Sequence, residues 1–119
     1  MSSFQKTILT TQVISGYGLH TGLKSNITFK KAPVNTGIQF IRVDLDNNPK
    51  IEANLINVDK TLRRTQLKKN KVIIQTTEHL LAAIKGLEID NLYIEIDNSE
   101  LPILDGSTKL YTDILIKAG

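Results

Sequence analysis

The 119-residue chain contains no cysteine. That absence excludes a disulfide scaffold and thiolate metal ligation, and it fits a cytoplasmic location. No apolar run approaches the ~20 residues of a membrane-spanning helix. The opening residues, MSSFQKTILTTQVIS, lack the apolar segment between a basic start and a small-residue cleavage site that marks a signal peptide. Excess charge is scarce as well, since fifteen Lys and Arg against twelve Asp and Glu leave only +3. So weak a balance does not by itself imply a nucleic-acid partner. No internal repeat, linker or low-complexity stretch divides the chain, and its length suits one soluble domain around one core.

Acid is missing from one place in particular. The stretch KTLRRTQLKKNK, residues 60–71, holds six of the fifteen basic residues and no Asp or Glu. Its first reading is a solvated hairpin turn. Its second is a contact for phosphates, or a peripheral contact with an anionic membrane surface. The run has no aromatic residue to act as a stacking platform, so single-stranded nucleic acid is not expected.

What is present reads as strands first. KTILTTQVI is rich in β-branched residues and ends at SGYG. In SNITFKK, Ile27 and Phe29 fall on one face and Thr28 and Lys30 on the other. Pro33, Asn35 and Gly37 mark a turn before IQFIRVDL, and DNNPK marks another. RRTQL and VIIQT flank LKKNK as a hairpin. NLYIEID alternates, with Leu92, Ile94 and Ile96 facing in.

Two stretches read as helices. Leu80, Ala83, Ile84 and Leu87 recur as an apolar stripe, with Thr76 or Thr77 as the cap and Gly86 near the end. The second helix follows DGS, with Ser107 as N-cap, Leu110, Tyr111, Ile114 and Leu115 as its buried face, and Gly119 closing it. The order implies an α+β fold, a two-layer sandwich of a roughly five-stranded sheet with two helices packed on one face. His79, Leu81 and Ala82 leave the far side of the first helix partly apolar, which calls for a covering layer.

Glu78 and His79 head that first helix. A neutral imidazole at a helix N-terminus can ligate zinc, and a neighbouring carboxylate can take a proton from a water activated by the metal. The bare dipeptide is more often structural than catalytic, and a catalytic zinc needs about three protein ligands. His20 lies in the glycine-rich SGYGLHTG, which has neither P-loop nor dinucleotide spacing and reads first as a locally bonded turn. By spacing alone the metal site is incomplete.

Four stretches, SGYGLHTG, KKAPVNTGIQFIRVDL, TTEHLLAAIKGLEIDN and ELPILDGST, stand in the order and spacing of the N-terminal half of the UDP-3-O-acyl-N-acetylglucosamine deacetylase (LpxC) family. The chain resembles that family over residues 6–119. The resemblance implies a zinc-dependent deacetylase of lipid A biosynthesis in Gram-negative bacteria, built from two similar domains whose helical layers face each other. Residues 1–119 would be a single α+β domain resembling the first, with the second absent. By the same resemblance His79 would be a zinc ligand and Glu78 the general base. His20, Leu62, Arg63 and Arg64 would lie on substrate-side loops. The remaining zinc ligands, the histidine proton donor and most of the nucleotide and acyl pocket would belong to the second domain. The implied reaction is attack of water on the acetamide carbonyl of UDP-3-O-acyl-N-acetylglucosamine, releasing acetate and a free amine. The chain alone is then expected to be inactive, and to pair with a second LpxC-type domain or to self-associate.

One departure stands out. Residues 60–67 occupy the place of a family active-site loop that usually carries an acid near Lys60 and smaller residues near Arg64. The alternative reading keeps the fold without the chemistry: a non-catalytic binding or assembly module that uses its basic hairpin on an anionic partner.

Overall fold

A computed structural model describes residues 5–18, 22–53, 58–61, 64–69, 72–75, 77–102 and 109–119. Five strands, β1 (Gln12–Tyr17), β2 (Lys24–Lys31), β3 (Ile38–Arg42), β4 (Lys50–Glu52) and β8 (Leu92–Ile96), form a mixed sheet in the order β1-β2-β8-β3-β4. Three short strands, β5 (Val58–Thr61), β6 (Arg64–Lys69) and β7 (Val72–Gln75), form a separate antiparallel sheet. Helices α1 (Glu78–Gly86) and α2 (Lys109–Lys117) pack against each other. The expected α+β sandwich is present. The basic hairpin belongs to the second, smaller sheet, with β5 as its third strand.

Strand β8 organises the large sheet, pairing antiparallel with β2 and parallel with β3. Its alternation sends Leu92, Ile94 and Ile96 fully inward and leaves Tyr93 and Glu95 half-buried on the other face. The registers set Phe29, Ile94, Phe40 and Ile51 side by side across four strands, and all four are fully buried. Each such side chain contributes roughly 1.5–3 kcal/mol on leaving water. From the helical layer Leu80, Ala83, Ile84, Tyr111 and Leu115 close the same core. Ile114 packs at its margin, whereas Leu110, expected on the buried face of α2, is 37% exposed. A parallel β3–β8 pair needs a long crossover, and β4, the small sheet and α1 supply it.

The first strand starts later than its β-branched sequence suggests. Ahead of Gln12, the main-chain groups of Lys6, Leu9 and Thr10 find partners outside any sheet. The Lys6 carbonyl accepts the N–H groups of Asp90 and Asn91 at 2.9 Å, and the Leu9 and Thr10 N–H groups donate to the Ala118 carbonyl. Ile8, buried to 1% exposure, pins this segment to the core. Gly119 sits against it at φ +95, where a Cβ would come within 3.1 Å of the Leu9 side chain. The turn prediction at DNNPK holds, with Asn47 and Asn48 both in the left-handed region.

Both ends of α1 fall where the sequence puts them, at Thr77 and Gly86, but neither is bonded as its residue type suggests. Thr77 occupies the N-cap position and its carbonyl accepts the Leu81 N–H, but its side chain makes no capping hydrogen bond. Thr76 lies outside the described residues, as does Ser107 before α2. At the C-terminus Gly86 is the last helical residue, and the left-handed position falls on Glu88, at φ +57. Ile89 N–H bonds the Ile84 carbonyl and Glu88 N–H bonds the Lys85 carbonyl, each at 3.1 Å. Those two bonds make a Schellman motif with a non-glycine residue in its left-handed place. Replacing Glu88 with glycine relieves the steric cost of that conformation, so Glu88→Gly should raise stability by about 0.5–1 kcal/mol, read as a higher urea midpoint.

At the end of β3 the buried Arg42 guanidinium grips Asp44 through two nitrogens, at 2.8 and 2.7 Å. The hydrogen bond and charge of Arg42 hold the Asp44 carboxyl below its ordinary value, against its partial burial. A carboxyl lowered in the folded state adds stability above the unfolded value of ~3.9 and loses it as pH falls through the folded one. Asp44→Asn should therefore cost less than about 1 kcal/mol at neutral pH, the pair being partly in water, with the difference from wild type closing in acid. Urea midpoints of both proteins at neutral and acidic pH check this.

Candidate functional site

Strand β7 leads into α1 through residues 76 and 77, and that link is what places Glu78 and His79. Ile74 in β7, Thr77 in the link and Leu80 in α1 are all fully buried, so core contacts hold the start of the helix on both sides. Between those anchors Glu78 is exposed and His79 is half-buried. A carboxylate open to solvent and a partly shielded imidazole thus stand at the first turn of a nine-residue helix.

The small sheet brings a second sequence feature to this end. In its register Gln66 pairs with Gln75 and Thr61 with Arg64. Arg64 therefore lies two positions beyond the last residue of β7, level with the link into α1, and α1 packs beside β6. The end of β6 at Arg64 and the first turn of α1 are neighbours by topology. Leu62, Arg63 and His20 lie outside the described residues.

A third element converges from α2. The Tyr111 hydroxyl is buried and donates to the Pro102 carbonyl at 2.6 Å. Burial pushes this phenol far above its usual value, and the charge of the Glu78 carboxylate adds to the shift. The sequence marked Tyr111 only as part of an apolar face. The signal for more was its hydroxyl, which a buried tyrosine must satisfy. Through it α2 is tied to residue 102, directly before residues 103–108.

Among the described residues no three His, Cys, Asp or Glu side chains come together as a metal cluster. His79 has the chemistry and partial exposure of a zinc ligand, with Glu78 beside it, so this pair fits one corner of a metal site and does not complete it. No described helix is long and apolar enough to cross a membrane. On the helical layer the exposed positions include Ala82 on α1 and, on α2, Leu110 and the 60% exposed Ile116, so the expected apolar outer face is present in part.

Residues 5–119 match the profile of the LpxC family, described as UDP-3-O-acyl N-acetylglycosamine deacetylase. A UDP-3-O-acyl-N-acetylglucosamine deacetylase of Hahella chejuensis is 45% identical over 97% of this chain and 38% of its own length. The enzyme of that name from Bdellovibrio bacteriovorus is 39% identical over the same shares. A bifunctional enzyme LpxC/FabZ of Chlorobaculum tepidum is 45% identical over 97% of this chain and 25% of its own length. The chain thus spans between a quarter and two fifths of the curated relatives it matches. With the profile running through both strands and helices, including the Glu78–His79 turn, the chain belongs to the LpxC family, over a stretch that corresponds to part of its relatives' length.

Proposed function

We propose that these residues form the N-terminal part of a zinc-dependent deacetylase of UDP-3-O-acyl-N-acetylglucosamine in lipid A biosynthesis, acting in the cytoplasm. The observation that carries this reading is the exposed Glu78 next to the half-buried His79 at the start of α1, in a chain of this family. The relatives named as deacetylases support the substrate and the reaction. His79 would hold zinc through its imidazole, together with ligands from outside the described residues. A zinc ion bound there supplies Lewis acidity for water and for the acetamide carbonyl.

The chain's own contribution is proton handling and placement. Glu78 takes a proton from the attacking water as the new C–O bond forms, and the C–N bond then breaks as the leaving nitrogen takes up a proton, giving acetate and the free amine. The end of the small sheet at Arg64, beside the same helix turn, offers positive charge for the anionic diphosphate of the substrate. A second LpxC-type domain, docked over the helical layer, would complete the metal site and cover Leu110 and Ile116.

Two predictions test this reading. The isolated chain should retain zinc weakly or not at all after dialysis against a mild chelator. Stoichiometric zinc in the chain alone would instead require a self-contained site. In a complex with the C-terminal part of a relative, Glu78→Gln should keep zinc and lose turnover by roughly 10²–10⁴, the usual share of general-base catalysis. His79→Ala should lose zinc itself, and activity with it. Zinc content, melting temperature and deacetylation rate measured on the same samples distinguish this from a purely structural pair. In that case both variants would shift the melting temperature and leave turnover per folded molecule unchanged, which would favour the binding-module reading.

A further inference from the structure

We draw no further inference here: the strongest candidate, the apolar cavity of about 290 Å³ between the N-terminal segment at Lys6 and Ile8, the end of α1 at Leu87 and the last turns of α2 at Leu115 and Ile116, shares Ile116 with the helical face on which a second domain is already proposed to dock, and nothing in the structure shows what else covers it.

Discussion

The row Phe29–Ile94–Phe40–Ile51 is the contact on which the other parts of this fold depend. It crosses four of the five strands of the large sheet, and its two middle members, Ile94 and Phe40, lie on β8 and β3, the parallel pair of a sheet whose other pairings are antiparallel. Because β8 runs parallel to β3, the chain between them has to leave the sheet and return. The small sheet and α1 are built from that excursion. The position of Glu78 and His79 is thus a consequence of sheet topology: the helix that carries them has to cover this row, and its first turn comes out wherever β7 delivers it.

Much of this could be read from the residues, and the reasons differ from element to element. Strand β8 was legible because one face is buried and the other is half in water, so its alternation is clean. Helix α1 was legible from its stripe, and the DNNPK turn from residues that tolerate positive φ. Strand β1 was misplaced toward the N-terminus because β-branched composition does not reveal who takes the backbone hydrogen bonds. The carbonyls of Lys6 and Ala118, and the Asp90 and Asn91 N–H groups, are more than eighty residues from their partners in sequence. The end of α1 falls at Gly86, as its sequence suggests, but what stops the helix there was hidden for the opposite reason. Its stop signal is a full set of main-chain bonds around Glu88, a residue that by its identity signals no left-handed turn.

The candidate site divides along similar lines. Glu78 and His79 are adjacent in sequence, so their association needed no structure, and the resemblance to a family supplied their proposed roles. The convergence of Arg64 and Tyr111 on the same helix end could not be read locally. One depends on the register of β6 against β7, the other on how α2 packs against α1. Composition indicated that residues 60–71 form a basic hairpin, but only the pairing shows which end of that hairpin adjoins the helix. Arg64 lies at that end by the register of β6 against β7.

The join between β7 and α1 has a further consequence. Two residues separate Gln75 from Glu78, with buried anchors on both sides of the gap. Each residue of an α-helix turns it by about 100°. Adding or deleting one residue in this join would therefore change the phase of the helix by over a quarter turn. Leu80, Ala83 and Ile84 would leave the core as Glu78 and His79 swung away from the hairpin end. Packing and chemistry are locked to one angular setting, so the length of this join is held by two demands at once. Drift that spared the core while merely re-aiming the carboxylate is not available to the chain.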